Sequence, residues 1–224
     1  MKVAISLRMD QKHGDDRSIL EEAYNKYLQQ FGIDLLLVPN TLSNVRDYLD
    51  KFNVEGIIIS GGNDVNPDEY GGSVEDLSLA PFRDSTEDAM LNYAVQKDLP
   101  ILGICRGMQR LNVHYQGKLV DFKKEGISHP AGREHSHTVS IIDYAHQLDQ
   151  EAMINSYHNQ GITLDTLSSS LKPFAVSGDI VEGLYHPDLP IAGVQWHPER
   201  QSPNEAFNAK ILRAFVGGEL FWKK

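Results

Sequence analysis

The chain has 224 residues, of which 41% are hydrophobic, and a formal net charge of −10 from 21 Lys and Arg against 31 Asp and Glu. This length predicts one domain over residues 1–224. The acidic balance, without a basic cluster, excludes most nucleic-acid binders, and no apolar run approaches the ~20 residues that span a bilayer. We therefore expect a soluble, cytoplasmic protein with neither nucleic acid nor membrane as a partner.

Short apolar runs alternate with helical patterns over the first half of the chain. Continuous apolar runs of this length are typical of strands covered on both faces, and their alternation with helices is typical of a parallel sheet. The sequence therefore predicts an α/β fold, a mostly parallel open sheet with helices on both faces. The predicted strands are residues 3–7, 33–38, 56–59 and 100–104, and the predicted helices are residues 19–28, 45–52, 84–97 and 106–115.

Two regions depart from this alternation. Residues 60–81 contain Gly, Pro and Asp without a clear period, and loops of this length in a compact domain are usually functional. After residue 117 the pattern is less regular. It predicts strands at residues 139–142, 174–176, 180–185 and 191–195, a tight hairpin turn at 176–180 and a closing helix at 205–215.

The only cysteine, Cys105, lies in the stretch GICRGMQRLN, between a predicted strand and a predicted helix. A single cysteine excludes an internal disulfide, so Cys105 is either a buried apolar residue or a reactive thiol. Its strand-turn-helix setting is that of a nucleophile elbow, where Gly103 and Gly107 leave room for a sharp turn. A cysteine at a helix start also faces the positive end of the helix dipole, which favours the thiolate. This setting favours a catalytic thiol over a buried cysteine beside incidental glycines.

A catalytic thiol needs a general base and a carboxylate that orients that base. His197 follows the predicted strand 191–195 almost directly, and Glu199 lies two places later. The site of an open α/β sheet lies at the carboxyl ends of its strands, so we expect His197 and Cys105 at the same edge. Taken alone, a histidine at a strand end is more often only hydrogen-bonded.

The stretch ISGGND ends a third predicted strand at two glycines, Gly61 and Gly62. Amides without a side chain can approach a substrate closely and donate hydrogen bonds to an oxyanion. A glycine pair after a strand is by itself a common turn. Thiol, imidazole with carboxylate, and bare amides at three strand ends together predict an active site.

Five stretches, in order, carry a family resemblance: SGGNDVNPDEY, RDSTE, GICRGMQRLNV, NSYHNQG and GVQWHPE. With them the chain resembles the class I glutamine amidotransferases, which have a flavodoxin-like fold, and specifically their gamma-glutamyl hydrolase branch. The resemblance implies a catalytic triad of Cys105, His197 and Glu199, and an oxyanion hole formed by the amides of Gly62 and Arg106. It also implies contacts with the glutamyl moiety from Gln109, Asn155, Ser156, Tyr157 and His158.

The resemblance further implies a hydrolase, without a cofactor, that cleaves the gamma-glutamyl amide bond of a small molecule and releases glutamate and an amine. Residues 60–70 resemble gamma-glutamyl-aminobutyrate hydrolases, whereas GMQRLNVHYQGKLV and WHPERQSP resemble gamma-glutamyl-CDP-amidate hydrolases of capsule phosphoramidate synthesis. Both substrates stay open, as does a homodimer. The alternatives are a glutaminase subunit that supplies ammonia to a partner synthase and a non-catalytic thiol sensor on the same fold.

Four charged residues, two carboxylates and two arginines, need an interpretation of their own. Asp84 and Glu87 have the spacing of a capping box at a helix start, which explains both carboxyl groups without a substrate. Arg83 would then precede the helix and face the long loop, either binding a substrate carboxylate or phosphate or lying on the surface. Arg110 stands where relatives more often have an apolar residue, and the sequence does not explain it.

Three histidines, His129, His135 and His137, lie close together in HPAGREHSH. Their spacing lacks the HExxH pattern of a zinc-binding helix, and no cysteine is nearby. We expect solvated or hydrogen-bonded histidines and no metal.

Overall fold

The computed structural model of the protein describes residues 1–72, 78–130, 132–142 and 150–218, so part of the predicted loop 60–81 lies outside the described residues. The strands are β1 (Lys2–Ser6), β2 (Arg8–Lys12), β3 (Asp15–Ile19), β4 (Asp34–Val38), β5 (Gly56–Ile59), β6 (Ile101–Ile104), β7 (Val120–Asp121), β8 (Gly132–Ile141), β9 (Glu151–Ser156), β10 (Gln160–Thr163), β11 (Lys172–Ser177), β12 (Ile180–Tyr185) and β13 (Ile191–Val194). The helices are α1 (Glu22–Leu28), α2 (Val45–Phe52), α3 (Pro81–Lys97), α4 (Arg106–His114) and α5 (Glu205–Gly217).

One large sheet organises the molecule, with the strand order β4-β1-β5-β6-β13-β12-β11-β8-β9. The five strands from β4 to β13 are parallel, as predicted, and the strands from β12 onward pair antiparallel. The short strand β10 pairs with β12 and with β7. The sequence prediction of a single α/β fold is confirmed.

Helices cover both faces of the parallel half. Buried apolar side chains of α1 and α5 pack in one core on one face, and those of α2, α3 and α4 pack in a second core on the other. The central strands β5, β6 and β13 are buried along their whole length, which explains their continuous apolar sequences. Among the described helices, none combines the length and the apolar character needed to cross a bilayer.

The order of β5, β6 and β13 fixes where the predicted site lies. These three strands are neighbours and run in the same direction, with Ile59 paired to Gly103 and Gly103 paired to Gly193. Their carboxyl ends therefore meet at one edge of the sheet. The glycine pair after β5, Cys105 after β6 and His197 after β13 consequently lie at adjacent strand ends.

Sequence reasoning missed the hairpin of β2 and β3. Its strands are polar and partly exposed, so their sequences lack the apolar period that would predict them. The turn between them is formed by His13 and Gly14, both with positive φ, as in a two-residue hairpin loop. The hairpin docks beside the end of β5, because the amide of Met9 donates to Asn63 Oδ1 at 2.8 Å and Asn63 Nδ2 donates to the Met9 carbonyl at 2.9 Å.

The predicted start of α3 was also wrong. The helix begins at Pro81 with Ala80 as its N-cap, three residues before the expected start at Asp84. Proline suits the first turn of a helix, because its missing amide hydrogen would have no helical partner there. Asp84 and Glu87 therefore lie inside the helix, and the capping-box interpretation does not hold.

Gly107 sits where the elbow helix α4 presses on β5, and it gives a direct test of this packing. A β-carbon at Gly107 would lie 1.9 Å from the carbonyl oxygen of Ile59, a backbone atom that no rotamer change can move. We expect Gly107→Ala to lower the free energy of unfolding by more than ~3 kcal/mol, the upper end of ordinary overpacking. Urea denaturation measures this change.

The control is Gly178→Asn in the turn between β11 and β12. Gly178 has φ +58°, which asparagine tolerates, and no heavy atom would lie within 4 Å of its β-carbon. A loss of stability at position 107 no larger than at position 178 would contradict the close contact between α4 and β5.

Candidate active site

Cys105 occupies a strained turn between β6 and α4. Its backbone has φ 53° and ψ −107°, values that a residue with a side chain rarely adopts, and it serves as the N-cap of α4. A β-carbon at Gly103 would lie 2.6 Å from the carbonyl oxygen of Gly107. Both flanking glycines are thus required by close backbone contacts, and the turn holds the thiol at the helix start.

His197 and Glu199 form a buried pair at the end of β13. His197 Nδ1 lies 2.6 Å from Glu199 Oε1, and the side chains of both residues are almost completely buried. Burial alone lowers the pKa of His197, but the adjacent Cys105 and Glu199 outweigh it and raise the pKa to about 9. The imidazole therefore favours the protonated state between a thiol and a carboxylate, and its second nitrogen, Nε2, is the one left to serve the thiol.

Asn155, at the end of β9, holds the backbone of His197. Its Oδ1 accepts from the His197 amide at 2.9 Å, and its Nδ2 donates to the His197 carbonyl at 2.9 Å and to the Gln201 carbonyl at 3.1 Å. Both donor hydrogens of the side-chain amide are thereby engaged inside the protein. Asn155 positions the imidazole, whereas the resemblance implied that it holds the glutamyl moiety.

Two backbone amides lie close to the strand ends, that of Gly62 after β5 and that of Arg106 at the start of α4. Gly62 is exposed and has φ +123°, a backbone conformation that favours glycine. A β-carbon at this position would also press on the side chains of Arg8 and Arg83. Arg106 is the first residue of α4, so its amide has no carbonyl one helical turn earlier to donate to. Within the described ranges, no hydrogen bond is found from either amide. Both are therefore available to an oxyanion.

Tyr24 of α1 is a site residue that sequence reasoning counted only as part of a helix face. Its hydroxyl accepts from the Gly61 amide at 2.9 Å, next to Gly62. Complete burial, with Glu199 and Cys105 nearby, raises the pKa of Tyr24 well above its ordinary value, so the phenol stays protonated. A β-carbon at Gly61 would lie 2.8 Å from His197 Cε1, so this glycine lets the imidazole approach the turn.

Two glutamines connect the thiol with the strand end of β10. Gln195 Nε2 lies 3.6 Å from Cys105 Sγ, and Gln109 Nε2 lies 3.4 Å from Gln195 Oε1 and donates to the Gln160 carbonyl at 2.9 Å. Gln109 and Gln195 are buried. Gln109, expected as a substrate contact, thus lies one residue away from the thiol, with Gln195 between them.

Arg83 does not lie on the surface, which was one of the two positions that the sequence left open for it. It lies in the first turn of α3 and is fully buried, with Nε donating to Glu87 at 2.7 Å and Nη2 to the Ser60 carbonyl at 2.7 Å. The guanidinium of Arg106 binds both Glu87 and Asp84. This buried ion cluster, formed by Arg83, Asp84, Glu87 and Arg106, joins α3 to α4 and to the loop after β5.

Burial raises the pKa of Asp84 to about 6, with Arg106 acting in the opposite direction. For Glu87 burial acts in the same direction as for Asp84, but Arg106 and Arg83 outweigh it and lower the pKa. Glu87 therefore favours the charged state, in which it pairs with the guanidinium groups of both Arg83 and Arg106.

Arg110, unexplained by the sequence, is also an ion-pair residue. Its side chain is 1% exposed and binds Glu69 from the long loop and Asp88 from α3. The arginine thereby ties the loop to the two helices behind the elbow.

The segment from Ser156 to His158 divides between two surroundings. The ring of Tyr157 packs edge-on against His197 at 5.5 Å, and the guanidinium of Arg200 lies 4.5 Å over the same ring. The Ser156 hydroxyl donates to the Pro130 carbonyl instead, and His158 Nδ1 contacts the Gln160 carbonyl at 2.9 Å. Tyr157 therefore borders the imidazole, whereas Ser156 and His158 bind backbone carbonyls away from it.

The three histidines that the sequence predicts to be solvated or hydrogen-bonded lie in two different surroundings. His135 is exposed, whereas His129 and His137 meet His158 and Glu182 in a buried cluster. Burial lowers the pKa of His129 and of His158 to about 4, so both imidazoles are neutral at pH 7. Among the described residues, His129, His158 and Glu182 are the group whose ligand atoms converge closely enough to hold a metal ion.

Comparison with known proteins agrees with this fold. Residues 2–199 match the Peptidase C26 family. A Lactococcus lactis protein named as glutamine amidotransferase-like, YvdE, is 30% identical over 91% of this chain and 90% of its own length. The gamma-glutamyl-gamma-aminobutyrate hydrolase of Escherichia coli O157:H7 is 29% identical over 91% of this chain and 87% of its own.

Among solved structures, a Thermoplasma acidophilum protein named as part of a GMP synthase superimposes with a TM-score of 0.68. It is 24% identical, and the match covers 97% of this chain and 93% of the other. This likeness shows the shared fold.

The buried ion cluster predicts a large stability effect at Glu87. Glu87→Gln removes the charge that pairs with two buried guanidinium groups, so we expect the free energy of unfolding to fall by about 3–5 kcal/mol. Chemical denaturation measures the loss. Glu22→Gln, which removes an exposed partner of Lys26 in α1, is the control and should leave the midpoint almost unchanged. Equal effects at the two positions would mean that the cluster does not hold α3 and α4 together.

Proposed function

Because the chain belongs to the Peptidase C26 family, we propose that it is a cysteine-dependent hydrolase of gamma-glutamyl amides, with Cys105 as nucleophile. His197 acts as the acid and base, Glu199 orients it, and the amides of Gly62 and Arg106 hold the oxyanion. Glutamate and an amine are the products. The family and the amidotransferase-like relatives support the class of reaction, and the residue roles are our assignment.

The observation that carries this proposal is the meeting of three groups at the ends of β5, β6 and β13. Acyl transfer to a thiol requires a reactive thiol, an oriented imidazole and donors for the oxyanion. Here the thiol lies on a strained turn, the imidazole is held by a carboxylate at 2.6 Å, and two backbone amides donate no hydrogen bond within the described residues. A thiol sensor would need neither the orienting carboxylate nor the amides.

The reaction begins with the Cys105 thiolate attacking the gamma-carbonyl carbon. The carbonyl oxygen takes the negative charge and accepts hydrogen bonds from the amides of Gly62 and Arg106. The C–N bond then breaks as His197 gives its proton to the departing nitrogen, leaving a glutamyl thioester and a neutral imidazole. His197 next takes a proton from water, whose oxygen attacks the thioester carbonyl. The C–S bond breaks, and glutamate leaves with the thiolate restored.

The amine half of the substrate has space beside Gly62. A groove of about 290 Å³ lies there, lined by Arg8 and Met9 of the hairpin and by Asn63 and Asp64 of the loop. We assign this groove to the leaving amine. The Escherichia coli relative's name supports gamma-glutamyl-aminobutyrate, and the sequence stretches near the elbow and after His197 support gamma-glutamyl-CDP-amidate.

A glutaminase subunit that supplies ammonia to a partner synthase is the second candidate. It is favoured by the relatives named as glutamine amidotransferases. The two candidates differ in their response to a partner. A stand-alone hydrolase needs no other protein to release glutamate at full rate from gamma-glutamyl-aminobutyrate or gamma-glutamyl-CDP-amidate. A glutaminase subunit instead hydrolyses glutamine, and its rate rises when the partner synthase is added.

The assignment of Cys105 predicts a large loss of turnover. Cys105→Ala removes the attacking atom, so we expect glutamate release to fall by about 10⁴-fold or more across gamma-glutamyl-aminobutyrate, gamma-glutamyl-CDP-amidate and glutamine. A coupled glutamate assay measures the rate, and a matching circular dichroism spectrum shows that the variant is folded. Turnover of the cleaved substrate at the original rate would refute the role of Cys105.

The raised pKa of His197 predicts the alkaline side of the pH profile. The leaving amine takes its proton from the imidazolium, so kcat/KM should fall as pH rises past about 9. Glu199→Gln removes one of the charges that raise the pKa, so the fall should move to lower pH and the maximum should decrease. Glu205→Gln changes an exposed residue at the start of α5 and should leave the profile in place. An unmoved alkaline limb in Glu199→Gln would exclude the assigned pair.

A further inference from the structure

We propose that His129, His137, His158 and Glu182 form a closed binding site for one divalent transition-metal ion of the zinc type. The site lies beside the proposed active centre and is separate from its Cys-His-Glu group. It would join four chain segments: the loop before β8, β8 itself, the turn between β9 and β10, and β12.

The spacing of the ligand atoms suits tetrahedral coordination. Zinc bound to imidazole nitrogen at ~2.0–2.1 Å places neighbouring ligand atoms about 3.3–3.4 Å apart. His129 Nε2 lies 3.1 Å from His158 Nε2 and 3.4 Å from Glu182 Oε1, and His137 Nε2 lies 3.2 Å from the same oxygen. His158 Nε2 lies 3.8 Å from Glu182 Oε2. Ligand atoms of His129, His158 and Glu182 are therefore already gathered, and His137 Nε2 lies beside them against the Glu182 carboxylate as the fourth ligand of the proposed site.

The protonation of His158 is also that of a metal ligand. Its Nδ1 lies 2.9 Å from the Gln160 carbonyl, which can only accept, so Nδ1 carries the proton and Nε2 presents a lone pair. A ligating histidine commonly donates its second nitrogen to a carbonyl in this way. That lone pair points at the contact with His129 Nε2.

The cluster contains a carboxylate oxygen without a hydrogen bond among the described residues. Glu182 is completely buried, and this oxygen is its Oε2. A buried carboxylate is costly unless a positive charge accompanies it. A divalent cation would supply the missing charge. Softer imidazole ligands with a carboxylate favour zinc over magnesium or calcium.

The alternative is a hydrogen-bonded cluster without metal. One proton shared between His129 and His158, and one donated by His137 to Glu182, would account for the short contacts. If hydrogen bonding is the cluster's only role, the chain takes up no zinc there, so metal uptake separates the two.

The ion would support the active centre through the backbone. The Glu182 carbonyl accepts from the Gln195 amide at 2.8 Å, and Gln195 contacts the Cys105 sulfur. The Gln160 carbonyl that receives His158 also accepts from Gln109. With four protein ligands and almost no exposure of His129, His158 and Glu182, the role is structural, with no open position for a substrate.

The test is zinc binding by the full chain. Chelator-treated protein is mixed with zinc, desalted and measured for metal per chain, and its melting temperature is recorded with and without zinc. We expect one zinc per chain and a rise in Tm of about 5 °C or more. No uptake together with no rise in Tm would show the hydrogen-bonded cluster instead and overturn the proposal.

Variants locate the ion. His129→Ala and His137→Ala should each weaken zinc binding by at least ~100-fold, whereas His135→Ala, an exposed histidine of the same strand β8, should bind like the wild type. Cys105, His197 and Glu199 are themselves metal-ligand types, so Cys105→Ala tests whether the ion binds at the triad instead. Because the proposed site is separate from the triad, this variant should also keep its zinc. Loss of zinc in Cys105→Ala with retention in His129→Ala would place the ion at the triad and refute the site.

X-ray absorption of the zinc-loaded wild type gives an answer that does not depend on folding of a variant. The site predicts nitrogen and oxygen neighbours only, at about 2.0–2.1 Å. A sulfur neighbour at ~2.3 Å would assign the metal to Cys105 and contradict the proposal.

Discussion

The contact of Gly107 with the Ile59 carbonyl is the constraint on which the active centre depends. It seats the first turn of α4 directly on β5, and only glycine leaves room for it. As a result, the amide at the start of α4 lies next to the glycine pair that ends β5, and the preceding residue, Cys105, takes a strained backbone conformation with its thiol at the sheet edge. Because β13 is the other neighbour of β6, the same edge receives the imidazole.

The strain of that turn needs a rigid frame. Arg106 supplies part of it, since its backbone amide is one that we assign to the oxyanion and its guanidinium lies in the buried ion cluster with Glu87. Asn155 holds the backbone on both sides of the His197 ring, and Tyr24 holds the amide of Gly61. Buried charges seldom increase stability over apolar packing, so their value here is to fix one arrangement of α3, α4 and the loop after β5.

The sequence was sufficient for the parts that local pattern determines. Continuous apolar runs predicted the parallel strands, and Gly103, Cys105 and Gly107 predicted the elbow. It failed where partners are distant in the chain or where polarity hides a strand. The hairpin of β2 and β3 has no apolar period, and Arg83 gave no sign that Glu87 and the Ser60 carbonyl would bury it. The meeting of His129 with Glu182 joins residues 53 positions apart in the chain, which no local spacing reveals.

The central claim is that catalysis passes through a glutamyl thioester on Cys105. Rapid acid quenching of the enzyme during turnover of gamma-glutamyl-aminobutyrate or gamma-glutamyl-CDP-amidate, followed by peptide mass spectrometry, tests it most directly. We predict that the peptide containing GICRGMQR gains the mass of one glutamyl group, and that hydroxylamine removes it. Glutamate release with the glutamyl group on another residue, or with Cys105 unmodified throughout turnover, would contradict it.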